Sequence, residues 1–417
     1  MISKNFLRIC KWGVAIMKFS IYTYFEWDND TNRLKLKKNM YFVFNQCYLM
    51  CYCYFIGVVS AYHAVGYISA EPENGVNEIF DVEFKPRDEG TAILNGLVHI
   101  MYCLAATGVI GNLGVNLLTK RHEFVGLMNM SIENDLRYQE MYKEYLERHP
   151  DNKRFHKEMD IILLIIAVGT TLVPVIFAFL IFQDFYPEHQ ILLRYFEIKV
   201  EYKWKFAPLL IYFIYMLLQA CDILFIMDVT GGMHLICCPI WLRLMHPERV
   251  EIEEGSPNFR CHIECSLNEA QILRFYKEQQ LRQEAYNSIF GNQLVTGHHS
   301  SFLYISAFGL FICIRHWRFI LEPGYSMAPL AVLLCCFAEY MEVRLVERVA
   351  IKSGEYLQAL GILARGEGKR LVRLQKGLKS YRILQPQHAY PYYRLTKENY
   401  LLYVNSIVDI LVSILVI

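Results

Sequence analysis

The chain has 417 residues, 54% of them hydrophobic and only 20% charged, with a formal net charge of +1 and a mean hydropathy of +0.20. That apolar excess is more than a soluble domain of this length carries, so a membrane class comes first. The near-zero net charge excludes the broad basic field of a nucleic-acid binder, and no nucleic-acid partner is expected.

At the N-terminus, Trp12 to Met17 is too short for a signal core, is flanked by Lys11 and Lys18, and precedes no small-residue cleavage site. No cleaved signal is expected. Residues 5–22 read instead as an amphipathic segment resting on a membrane surface. Seven stretches then suit a crossing of the hydrocarbon core, which takes about 20 helical residues. They run from Met40 to Gly66, Thr91 to Leu118, Ile161 to Phe182, Ala207 to Val229, Ser301 to Leu321, Ser326 to Leu345 and Lys397 to Ile417. The predicted fold class is an all-α integral membrane protein with seven transmembrane helices. The fourth stretch stays apolar through Gly231, Gly232 and Pro239 to Met245, so it either projects beyond the membrane or bends at those residues.

Of the 42 Lys and Arg residues, 34 fall in the N-terminal segment, the loops after spans two and four, and the stretch before the last span; only 8 fall in the alternate loops. Basic residues are retained in the cytoplasm, so the topology is inverted, with the N-terminus inside. The predicted organisation is a cytoplasmic or interfacial segment at 1–39, spans one to six within 40–345 with cytoplasmic loops at 119–159 and 246–300, cytoplasmic anchor helices at 346–396, and the last span at 397–417. The thirteen cysteines avoid the three outer loops, and the sequons at Asn29 and Asn129 fall on the cytoplasmic side.

An inverted bundle without Asp-Arg-Tyr or Asn-Pro-x-x-Tyr at span ends is unlike a G-protein-coupled receptor. His63, His99, His234, His298 and His299 show none of the in-span His-x-x-x-His spacing that a zinc hydrolase of seven helices needs. Cys261-His262-x-x-Cys265 lies in a polar loop without a matching second half and reads as an ordinary loop. No nucleophile with a base, metal cluster or phosphate loop appears. No enzymatic activity, catalytic residue, metal or cofactor is therefore expected.

Ile272-Leu-Arg-Phe-Tyr-Lys-Glu-Gln-Gln-Leu-Arg-Gln-Glu-Ala-Tyr-Asn-Ser-Ile-Phe290 before span five, and the run from Leu371 through Leu378, Tyr390 and Tyr393 into the last span, resemble the arthropod odorant and gustatory receptor superfamily. Length, inverted topology and the short last outer loop resemble it too. Where gustatory members often carry Thr-Tyr followed by Gln-Phe, this chain has Thr396, Tyr400, Asn405 and Ser406. The resemblance implies a plasma-membrane, multi-pass chemosensory receptor acting as a ligand-gated, non-selective cation channel. It further implies a homo- or hetero-tetramer, with or without a shared co-receptor, in which four last helices surround a pore and cytoplasmic extensions form an anchor. Leu357, Leu360 and Leu363, then Leu371, Leu374 and Leu378 beyond a break at Gly366-Glu367-Gly368, suit either that anchor or a core within one chain.

In the last span Asn405, Asp409 and Ser413 recur at steps of four and share one helical face. Asp409 lies about 12 Å from the helix end by rise. An intramembrane acid marks an aqueous path or a buried partner. The expected pore lining is Asn405, Val408, Asp409, Val412, Ser413 and Val416, with Leu411 beside the valines at an apolar constriction; the alternative is a hydrogen bond from Asn405 and Asp409 to a neighbouring helix. By the same resemblance a small odorant or tastant would sit in the outer half of the bundle. Candidate contacts are Leu94, His99, Tyr102, Phe177, Phe179, Tyr212, Tyr215, Met216, Gln219, Met327 and Leu330, which could equally be helix-packing aromatics and aliphatics. A transporter or non-channel receptor is the competing class, but the inverted repeats with broken helices expected of a transporter are not apparent.

Overall fold

A computed structural model describes chiefly residues 25–37, 41–69, 116–148, 229–249, 269–292, 299–320, 327–366 and 397–416, with short pieces between 7 and 11, 76 and 106, 157 and 164, and 259 and 267, and at 378. The elements are the hairpin β1 (Phe25–Asp28) and β2 (Arg33–Leu36), α1 (Tyr41–Ser69), a two-stranded ribbon β3 (Val76–Asn77) and β4 (Val82–Glu83), α2 (Asn116–Met141), and α3 (Lys143–Arg148). There follow α4 (229–244), the small sheet β5 (Pro247–Arg249), β6 (Phe259–Cys261) and β7 (Ser266–Leu267), then α5 (Glu269–Asn292), α6 (His299–Arg315), α7 (Met327–Gly366) and α8 (Lys397–Val416). The chain is thus mostly helical rather than all-α. The strands are antiparallel pieces of two to four residues in connections, too short for alternation to announce them.

The β1–β2 hairpin is held at its tip by Asp28, which accepts from Asp30 N at 3.1 Å and Thr31 Oγ1 at 2.6 Å and pairs with Lys35 Nζ at 2.6 Å. Lys35 and then Thr31 hold the Asp28 carboxyl well below the usual carboxylate range. Asn32, at φ 52°, takes the left-handed conformation that asparagine tolerates. Phe25, Trp27 and Leu34 are buried, and Phe25 meets Phe124 of α2 at 5.3 Å between ring centroids. The side-chain amide of Asn129 grips β2 from both directions: Leu34 N donates to Oδ1 and Nδ2 donates to Leu34 O, each at 2.8 Å. Its sequon nitrogen is therefore already engaged.

The largest core lies among the hairpin, α2, α4, α5 and the second half of α7. Within α4, Gly231, Gly232 and Pro239 sit inside one continuous helix, so the apolar stretch extends without breaking there. Val229, Met233, Cys237, Cys238 and Trp241 are all buried. Trp241 Nε1 and Gln139 Nε2 both donate to the buried carboxylate of Asp135. Tyr138 lies against Trp241 at 5.0 Å and Phe275 at 5.3 Å, and Tyr276 stacks on Tyr356 at 5.2 Å. Leu357, Leu360 and Leu378 also pack into this core, within a single chain. Leu371 and Leu374 lie outside the described residues, as does the side chain of Leu363.

α7 runs 40 residues without interruption to Gly366, so the predicted sixth span and the first anchor helix form one element. Among the described residues no helix is both long and apolar enough to cross a membrane; most of the predicted second, third and fourth spans lies outside them, and the apolar run of α7, though not the helix itself, is broken by Glu339, Glu342 and Arg344. Apolar side chains nonetheless face outward, among them Phe44, Tyr54, Phe55 and Val58 on α1, and Leu333, Leu334 and Phe337 on α7.

One ion cluster ties α2 to α5. Glu278 accepts from Tyr138 Oη at 2.7 Å and Arg274 Nε at 3.1 Å, and also pairs with Arg137. Burial opposes its ionisation, but these donors outweigh burial and lower its pKa. A carboxyl lowered in the folded state contributes stability at neutral pH that disappears as pH falls below the ordinary glutamate range. Thermal unfolding of the purified protein, followed from about pH 7 to about pH 3, should therefore lose midpoint less steeply in Glu278→Gln than in the wild type. Parallel acid limbs would show that the cluster adds nothing.

Candidate functional site

α8 packs on α6 and α7 along one stripe. Tyr403 and Ile407 are buried against Ala307, with Phe302, Leu303, Leu310, Cys336, Tyr400 and Ile410 around them. Further along, Leu411, Ile414 and Leu415 join Phe311 and Ile312 of α6, Ala328 of α7, and Leu97, Ile100 and Met101 of the short helical piece between 96 and 106. Positions 403, 407, 410 or 411, and 414 recur at steps of three and four, so one side of the helix is covered and the other is not.

The uncovered arc holds all six predicted lining residues. Val408 is 48% exposed, Val412 52% and Val416 81%, and Asn405, Asp409 and Ser413 are exposed as well. Leu411 is different: it turns into the α6–α7 packing rather than onto this arc. Ser413 donates back along the helix to Asp409 O at 2.7 Å, a bond that helical serines make readily. Leu401, Leu402 and Val404 continue the exposed arc towards the start of α8.

A chain of polar groups crosses the covered side. His299 Nδ1 lies 2.8 Å from Glu339 Oε1, and the Glu339 side chain is only 3% exposed. The His299 ring faces Tyr403 at 5.4 Å. Tyr403 Oη sits 3.0 Å from Ser306 Oγ, which in turn accepts from Cys336 Sγ at 3.7 Å. Tyr400, on the same turn, meets Tyr340 edge-on at 5.4 Å. Three helices are therefore joined where apolar packing alone would let them slide. An acid in the predicted sixth span and paired histidines before the predicted fifth are the sequence signals of this arrangement, but nothing local marks them as partners.

Among the predicted ligand contacts, His99 is fully buried and stacks between His63 at 5.1 Å and Tyr67 at 5.7 Å, both on α1. Leu330 is about one third exposed, and Met327 begins α7 with its side chain outside the description. Leu94, Tyr102, Phe177, Phe179, Tyr212, Tyr215, Met216 and Gln219 lie outside the described residues. The structure brings His99 against α1. Cys261 ends β6, and the rest of its Cys-His-x-x-Cys run is not described; among the described residues no group of three or more His, Cys, Asp or Glu side chains is placed to hold a metal.

No protein-family model matches the chain, and no curated protein matches it. Among solved structures it is similar to the insect olfactory receptor OR5 from Machilis hrabei, at 11% sequence identity and a TM-score of 0.54, over 99% of this chain and 98% of that one. The two share a fold over essentially their whole lengths.

Close approach of α6 and α7 depends on Gly309: a β-carbon there would lie 2.5 Å from Val332 Cγ2 and 3.3 Å from Ala328 O. Val332 is β-branched and stiff, and Ala328 O is backbone, so neither yields easily. Gly309→Ala should cost about 1–3 kcal/mol. Gly126→Ala, with nothing within 4 Å, should instead gain about 0.5–1 kcal/mol through helix propensity. Thermal unfolding of the purified protein tests both signs, and equal shifts would contradict the packing described.

Proposed function

We propose that the chain is a chemosensory receptor of the insect odorant and gustatory receptor type, acting as a ligand-gated cation channel in the plasma membrane. The observation that carries this reading is the half-covered last helix. α8 is a 20-residue helix with an exposed mixed face of Asn405, Asp409, Ser413 and valines. A carboxylate on such a face is stabilised by water in a pore or by a neighbouring protein, never by lipid. Four copies around an axis would supply both, with Asp409 rings favouring cations and Val408, Val412 and Val416 forming an apolar gate.

The fold likeness to an olfactory receptor over the whole chain supports the same reading, as does the 34 to 8 asymmetry of basic residues. Outward apolar side chains on α1 and on the first half of α7 suit lipid contact. The 40 residues of α7 extend about 60 Å, a length that suits a crossing continued into a cytoplasmic core, with Glu339, Glu342 and Arg344 breaking its apolar run. In this arrangement residues 1–39, 119–159, 246–300 and 346–396 are cytoplasmic, and a small, mostly apolar odorant or tastant enters the outer half of the bundle.

Expression in cells with a cation-flux readout, alone and with a co-receptor, tests the channel across an odour and tastant panel. Asp409→Asn should reduce cation over anion permeability several-fold while leaving surface expression intact. Unchanged selectivity in a conducting Asp409→Asn channel would remove α8 from the ion path. An N-terminal epitope tag detected on unpermeabilised cells would overturn the inverted topology.

A further inference from the structure

Far from α8, Arg282 of α5 is the one fully buried Lys or Arg side chain among the described residues. Its Nη1 donates to Gln279 Oε1 at 3.0 Å, while Nε and Nη2 are buried with no hydrogen-bond acceptor, and so is the neighbouring donor Gln279 Nε2. A neutral amide is a poor counterpart for a guanidinium taken out of water, because buried cations persist only when an anion compensates them. Gln279, Arg282, Gln283 and Tyr286 lie at helical spacing on the face that α5 turns to α4.

Among the described residues, the groups around Arg282 do not supply the missing negative charge. His234 of α4 lies 2.9 Å from Gln283 Oε1 through Nε2 and stacks on Tyr286 at 4.9 Å. Burial, with Arg282 nearby, pulls its pKa down to about 3, so the ring is neutral. Burial pushes the thiols of Cys237 and Cys238 up to about 11 and about 12, so they too are neutral. The buried carboxylate of this core, Asp135, accepts from Trp241 and Gln139 rather than from Arg282.

We propose that the seam between α4 and α5 holds a small inorganic monoanion of the chloride class, bound by Arg282 Nε and Nη2 and Gln279 Nε2. Charge matching selects a single negative charge, since a dianion would exceed one guanidinium. Full burial of Arg282 and Gln279, with Tyr286 one turn further along α5, favours a weakly hydrated ion over a bulky organic phosphate. The ion would join two helices of the largest core, so its first effect is on stability, and the inference stands apart from the channel reading.

The experiment is thermal unfolding of the full chain in detergent, with chloride exchanged for gluconate at constant ionic strength. The midpoint should rise saturably with chloride or bromide by about 2–4 °C and stay low in gluconate. Arg282→Met, similar in length and neutral, should unfold at the same temperature in both salts. Gln279→Leu, which keeps the cation but removes one donor, should need several-fold more chloride for half its effect, and it decides the matter if Arg282→Met does not fold. A wild-type midpoint indifferent to halide would reveal an internal water only and overturn the proposal. A halide response surviving unchanged in Arg282→Met, or in Gln279→Leu, would place the ion elsewhere and overturn it equally.

Discussion

The carboxylate of Asp135, fully buried and held by Trp241 and Gln139, is the polar point around which the largest core is assembled. Leaving such a group without donors would cost more than most single contacts return. Its satisfaction fixes α4 against α2, and Trp241 then sets where Tyr138 and Phe275 can lie. α5 follows through Tyr276, and the second half of α7 follows through Tyr356. Aromatic burial supplies the driving force, and the directional bonds decide which of many apolar arrangements is adopted.

The molecule has apolar surface in two places with different meanings. In the core of α2, α4 and α5 it is turned inward, as in any folded domain. On α1 and the first half of α7 large apolar side chains point away from the protein, an arrangement that is unfavourable in water and natural against hydrocarbon or a neighbouring subunit. α8 belongs to neither pattern. Its covered side is sealed by apolar packing and a polar chain through His299, Glu339, Ser306 and Tyr403, while its open side mixes carboxylate, amide, hydroxyl and valine.

Much of the helical frame was legible in the sequence, because long apolar runs and glycine breaks are local signals. α1, α6 and α8 fall close to the predicted first, fifth and last spans, and α7 ends at Gly366, the first glycine of the expected break. The hairpin from Phe25 to Leu36 was not legible: its strands have four residues each, and it is defined by a distant partner, Asn129. The shared face of Asn405, Asp409 and Ser413 could be read from spacing. That Leu411 faces the opposite way, into Phe311 and Ile312, depends on how α8 is rotated against α6, which no local pattern records. In the sequence Arg282 is one of several charges between Ile272 and Phe290, and only the packing of α4 over it reveals its isolation.

The uninterrupted course of α7 has a mechanical consequence. A helix with no hinge transmits tilt as a lever does, so a displacement near Ala328, where it touches α6 and α8, must reappear around Tyr356 and Leu360 in the distant core. The tyrosine-rich packing there resists such motion, and it would act as the fulcrum against which the opposite end swings.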